Sequence, residues 1–371
     1  MPQSGFSPDR REFGKLALSG VAGAAALLGP AGDSAADAPK FAPGVKLCVS
    51  ASANPSDNDL LFLKQLGIGC VSVGAPASLR TAEGFLQIKK RYADGGITVW
   101  NIGNTSVHNM PEVTLNLPGR DQKIEDYKNY LRNLGKAGIH YTTYAHMGNG
   151  IWSSGRAEIR GASGREYDRA SPNKRGVWDN MTWAEPLSHG RVFTKEEIWE
   201  NFTHFIKQVA PVAEEQGVKI GIHPDDPPEP ALAGVPRCIF GNFEGYKRAL
   251  EIANSPNVGM CLCCGCWLEG GRALMGKDPV ETIHYFGRLK KVWKIHFRNV
   301  SAPLPHFVET FMDNGYYDMY KIMKALVEVK FDGIVILDHS PGLVGGGNAQ
   351  TAYGVSQMQG LLKRAMAEVK S

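Results

Sequence analysis

After residue 40 the chain repeats one pattern: a short apolar run rich in β-branched residues, then a longer stretch with apolar positions at helical spacing. The short runs fall at 45–50, 70–74, 98–102, 141–146, 218–223, 258–263, 292–297 and 333–338. The helical stretches fall at 56–66, 82–94, 124–137, 194–216, 243–253, 279–290 and 317–329. Two of them open on a capping side chain with an acid three residues later, Ser56 with Asp59 and Thr194 with Glu197, which satisfies the free N–H groups of a first turn. A helix between strands carries the chain back across the sheet, so each new strand runs parallel to the last. Eight such units predict an α/β fold, a closed (β/α)8 TIM barrel in preference to an open doubly wound sheet. No Gly-x-Gly-x-x-Gly follows the first strand, so a dinucleotide fold is not expected.

One connection is out of scale. Residues 147–193, between the fourth strand and its helix, far exceed a usual strand-to-helix loop and carry Trp152, Arg156, Arg160, Arg165, Arg169, Lys174 and Arg175. Barrel active sites lie at the rim formed by these loops, so the insertion reads as a lid whose basic residues suit an anionic small molecule. A solvated insertion or a contact between copies in a homo-oligomer is the alternative. With 41 Lys+Arg against 37 Asp+Glu the net charge is +4, without a basic stripe or interleaved aromatics, so nucleic acid is not an expected partner.

The N-terminus reads as an address. Arg10-Arg11 with Phe13 and Lys15 precedes an apolar run at 16–29, then small residues at Ala36 and Ala38. The order resembles a twin-arginine export signal over 1–38, with 39–371 as the catalytic barrel in the periplasm. The alternative is a frayed amphipathic helix. The apolar run is too short to span a bilayer stably, so no membrane span is expected after cleavage.

Chemistry concentrates at the ends of the last four strands. His223 ends the fifth, Cys263 the sixth, His296 the seventh and Asp338 the eighth, and in a barrel these ends are neighbours on one rim. Two imidazoles, a thiolate and a carboxylate suit Mn²⁺, Fe²⁺, Co²⁺ or Zn²⁺. Taken singly, a strand-end His reads as a hydrogen-bonded core residue and a strand Cys as a small hydrophobe. Seven cysteines cannot all pair, and four crowd at Cys261, Cys263, Cys264 and Cys266 without the spacing of a zinc ribbon. Strand alternation puts Cys261 on the face of Cys263, one layer deeper. By the same rule Arg298 shares a face with His296 and could fork onto a substrate carboxylate.

Several segments together resemble the mannonate dehydratase family of sugar-acid lyases, within the xylose-isomerase-like barrels. These are His223-Pro224-Asp225-Asp226-Pro227-Pro228, Val235-Pro236-Arg237, the turn at 259–265 holding Cys263, Lys294-Ile295-His296-Phe297-Arg298, Asp318-Met319-Tyr320 and Asp338-His339. The likeness runs from about residue 120 to 355. It implies a Mn²⁺-type ion at His223, Cys263, His296 and Asp338, and a hydro-lyase reaction. A D-mannonate-like aldonate would lose water to a 2-keto-3-deoxy acid. The ion would stabilise enediolate-like charge while His339 and Tyr353, at the positions the family uses, move protons. The family's Phe-His-Glu stretch appears as Phe307-Val308-Glu309, with His306 close by. His306 and Trp152 of the insertion join Arg298 as substrate-binding candidates. Two rival readings share the barrel: a metal-dependent sugar isomerase or epimerase, and a sugar-acid binding protein without activity.

Overall fold

The computed structural model describes residues 43–370, so the export signal expected at 1–38 lies outside the described residues. Eight parallel strands form one sheet: β1 (Lys46–Ala51), β2 (Cys70–Gly74), β3 (Thr98–Gly103), β4 (Tyr141–Tyr144), β5 (Lys219–Ile222), β6 (Val258–Cys263), β7 (Val292–Phe297) and β8 (Ile334–Leu337). Their order is β3-β2-β1-β8-β7-β6-β5-β4. The β3/β4 seam is joined by a parallel bridge between Asn109 and Ala145, just past the two strands. This is the expected (β/α)8 barrel. Its strands are covered on both faces, which is why β6, Val-Gly-Met-Cys-Leu-Cys, is buried at every position and reads as an unbroken apolar run.

The principal helices are α1 (Asp57–Gln65), α2 (Ala82–Asp94), α3 (Arg120–Lys136), α4 (Lys195–Glu215), α5 (Phe243–Ala253), α6 (Cys264–Met275), α7 (Pro279–Arg288), α8 (Met319–Glu328) and α9 (Gly346–Lys370). Both expected capping boxes are formed, Ser56 with Asp59 on α1 and Thr194 with Glu197 on α4. On α4, Ile198, Phe202, Phe205, Ile206, Val209 and Ala213 make the buried stripe that clamps the helix to the sheet. Two helices had no counterpart among the expected stretches. Helix α6 starts immediately after Cys263, and α9 packs against α8 and β1. Among the described residues no helix is long and apolar enough to cross a membrane.

The insertion is built, not loose. Ile151–Ser153, Arg175–Trp178 and Met181–Ala184 form one antiparallel sheet. Gly155–Ile159 and Ala162–Asp168 form a hairpin, and its second strand pairs with His306–Thr310 from the loop after β7. The Tyr167 and Phe307 rings stack across that pairing with centroids 5.8 Å apart. Two rim loops are thereby fused into one cover.

The basic residues of the insertion are hydrogen-bonded within the protein. Arg160 pairs with Asp313, Arg169 with Glu229 and Lys174 with Glu185. Arg156 donates to Ser163, Arg175 to the Lys174 carbonyl, and Arg165 is spent on three carboxylates described below.

Candidate metal centre

Strand register brings the donors together. Cys263 of β6 lies opposite His296 of β7, and β5 ends one residue before His223. One ligand atom each from His223, Cys263 and His296 lies within 4.8 Å of the others. Asp338, just past β8, closes the group: Oδ2 is 3.6 Å from Cys263 Sγ and Oδ1 is 3.5 Å from His296 Nδ1.

The donor atoms are prepared for a cation. His223 Nδ1 lies 2.7 Å from the Pro224 carbonyl, which only accepts, so Nδ1 carries a hydrogen and Nε2 is the nitrogen left to face a cation. The buried Nδ1 of His296 makes no hydrogen bond. Cys263 is fully buried, which opposes ionisation, yet hydrogen bonding from Cys266, the Arg298 guanidinium and the two imidazoles hold its thiol well below the ordinary value. It also stands at the N-cap position of α6, where the helix dipole favours a thiolate. A soft thiolate, two imidazoles and a carboxylate around an orphaned ring nitrogen fit a divalent transition metal.

A second cluster braces the first. Arg298 is 1% exposed. Its Nε donates to Asp338 Oδ2 at 3.1 Å, Nη1 to Glu269 Oε1 at 2.6 Å and to Glu309 Oε1 at 3.0 Å, and Nη2 approaches Asp226 Oδ2 and Cys263 Sγ, each at 3.4 Å. Arg165, reaching in from the insertion, donates to Asp226, Glu269 and Glu309 at 2.7–2.9 Å. Gly265 makes room for this: a Cβ there would lie 2.2 Å from Arg298 Cζ. Burial and the charge of Asp226 push Glu269 up to about 8 against the pull of both arginines, toward its neutral form.

Of the expected site residues, His223, Cys263, His296, Asp338 and His339 converge. His339 is half exposed; its Nδ1 lies 3.0 Å from Glu309 Oε1 and its Nε2 3.6 Å from Asp338 Oδ1. The negative charge of Asp338, joined by Glu309 and opposed by burial, lifts its pKa to about 9.

Of the remaining expected site residues, Arg298 touches the donors and the other three make their hydrogen bonds to other partners. Arg298, expected to fork onto substrate, has its guanidinium walled in by the carboxylates of Asp226, Glu269, Glu309 and Asp338. Trp152 is fully buried and donates Nε1 to the Asn149 carbonyl at 3.0 Å, which makes it part of the core of the insertion. His306 is exposed on the cover and paired with Glu166. Tyr353, on α9, donates its hydroxyl to Asp313 at 2.6 Å.

Two residues near the donors lack any motif. His108, in the loop after β3, stacks on Trp178 of the insertion with centroids 5.0 Å apart. Burial, with the nearby charges of His223, Lys294 and His296, pushes it down to about 3, so it stays neutral. Lys294 sits two residues before His296 on β7, and alternation alone would have marked it as facing the barrel interior.

Comparison with known proteins places this arrangement. The model of the D-mannonate dehydratase (UxuA) family matches residues 75–369. A mannonate dehydratase of Thermotoga neapolitana is 30% identical over 306 residues, covering 74% of this chain and 81% of that protein. The crystal structure of mannonate dehydratase from Streptococcus suis serotype 2 superposes with a TM-score of 0.75 at 24% identity, covering 89% of this chain and 96% of that one. A xylose isomerase domain protein from Planctomyces limnophilus has the same fold, with a TM-score of 0.59 at 14% identity over 88% of this chain and 100% of that one. The extent of the family match makes the chain a hydro-lyase, a member of the D-mannonate dehydratase family.

Proposed function

We propose that the chain is a metal-dependent dehydratase of a sugar acid of the D-mannonate kind, releasing water to form a 2-keto-3-deoxy acid. The observation that carries this reading is the meeting of His223, Cys263, His296 and Asp338 at the barrel rim, with His339 beside them, in a chain of this family. A divalent ion there, Mn²⁺ first and Fe²⁺, Co²⁺ or Zn²⁺ as alternatives, would supply Lewis-acid stabilisation of the charge that develops as the C2 proton leaves.

The chain's own part follows from geometry. Pro224 fixes the His223 tautomer, and Arg298 holds Asp338 and Cys263 in place. Glu309 fixes His339 through Nδ1, so Nε2 is the atom that exchanges a proton with substrate. Tyr353 serves as the second proton carrier when its hydroxyl leaves Asp313, an assignment supported by the family position it matches. Residues 1–38 act as a twin-arginine signal, so the mature enzyme works in the periplasm; cell fractionation with and without Arg10→Lys/Arg11→Lys tests this.

Incubating the metal-loaded protein with a panel of hexonates tests the activity. A product lighter by one water supports the dehydratase. An isobaric product would instead mark an isomerase or epimerase, and binding without turnover would mark a binding protein.

A further inference from the structure

Arg298 is enclosed by carboxylates and is not free to receive an anionic substrate. Lys294 is 6% exposed and lies on the lumen face of β7, one layer beneath His296. Two residues along a strand is about 6.6 Å, within the length of a six-carbon acid. In register beside it are Cys261 of β6 and Ile334 of β8, so no carboxylate flanks it on either neighbouring strand. Its ammonium reaches toward Ser72 Oγ of β2, 3.5 Å away, and makes no ion pair among the described residues. Asn101 of β3 donates to the same Ser72 oxygen at 2.9 Å, and its own Oδ1 is buried without a hydrogen bond.

An ammonium has three N–H donors, and here one long hydrogen bond uses one of them. Beyond the charge it shares with the Cys261 thiol beside it, two of its N–H groups have no acceptor, which favours the arrival of an anionic one.

We propose that Lys294 binds the substrate carboxylate from the barrel floor, while Asn101 Oδ1 accepts from a neighbouring substrate hydroxyl, so that this layer selects sugar acids over neutral sugars. The inference rests on the sugar-acid reading above. Charge that builds on the carboxylate as the C2 proton leaves is also stabilised by the ammonium, so both KM and kcat respond.

The test compares wild type, Lys294→Met, Lys294→Gln and Lys294→Arg, each metal-loaded and checked for fold by circular dichroism and for metal by elemental analysis. D-mannonate kinetics are read alongside the Tm shift given by D-mannonate and by D-mannitol, its neutral counterpart. The expected result is full metal content and a KM for D-mannonate raised about ten- to a hundredfold in the Met and Gln variants, the size of a lost charge-assisted hydrogen bond. Their Tm shift with D-mannonate should fall to that with D-mannitol, and Lys294→Arg should recover part of it. An unchanged KM and Tm shift in folded Met or Gln variants, with an active wild type, would overturn the assignment of Lys294 alone. A wild type that neither turns over nor is stabilised by any hexonate would overturn the sugar-acid reading, and this inference with it.

Discussion

Arg298 Nε donates to Asp338 Oδ2 over 3.1 Å, tying a buried guanidinium to the carboxylate that completes the candidate metal centre. The same guanidinium lies against Cys263 Sγ, so one side chain orients two of the four donors. Replacing it with Met leaves Asp226 and Glu269 with Arg165 alone, and Glu309 with Arg165 and His339. Arg298→Met is expected to destabilise the fold by about 3–5 kcal/mol, the cost of breaking a buried ion pair from one side. Urea unfolding measures this, and elemental analysis should show reduced metal. A variant as stable and as metal-rich as wild type would show that the brace is dispensable.

Glu269 gives the pH dependence. Its folded value of about 8 stands above the ordinary 4.5, so between these limits the folded chain holds a proton that the unfolded chain releases. Stability from this group is complete below about 4.5 and declines as pH rises, reaching its floor above about 8. The unbonded Oε2 is the place for that proton, while Oε1 accepts from Arg298 and Arg165. Glu269→Gln reproduces the neutral form and should flatten this part of the urea-midpoint profile; an unchanged slope would contradict the protonated assignment.

Removing donors separates metal binding from folding. His223→Ala and Cys263→Ala should each lose most of the bound metal while keeping the barrel's circular dichroism. Chelation of wild type should lower Tm, because an ion at a thousand times its Kd stabilises a fold by about 4 kcal/mol. Variants with wild-type metal content would place the ion elsewhere.

The proton carriers should behave differently from the ligands. His339→Asn is expected to keep metal and lose turnover by about a hundredfold or more, the usual weight of a general acid or base. Tyr353→Phe should keep metal and reduce kcat as well. If Tyr353→Phe is fully active, its hydroxyl serves only the Asp313 contact seen here.

Much of the barrel was legible because β-branched runs and helical periodicity are local properties. The limits read for β2, β6 and β7 coincide with the observed strands, as do those of α2 and α5. The donor set was legible for a related reason, since strand ends in a barrel share a rim. Helix α6 escaped because it follows β6 without a loop, and its opening Cys264-Gly265-Cys266 carries no capping side chain. The short strands of the insertion are hidden by polar, arginine-rich sequence. The role of Arg298 escaped because its carboxylate partners, Asp226, Glu269, Glu309 and Asp338, come from four separate segments that no spacing links. For Tyr353, the family position it matches suggested a part in the proton traffic, and its hydroxyl is bonded to Asp313.

Mass spectrometry of the product from D-mannonate, with bound metal assayed in the same preparation, tests the proposal at its root. Protein carrying one divalent ion per chain should yield a 2-keto-3-deoxy acid lighter than substrate by one water, with the yield vanishing on chelation and returning with Mn²⁺. Turnover that survives complete metal removal, or unaltered substrate from every hexonate at full metal occupancy, would contradict it.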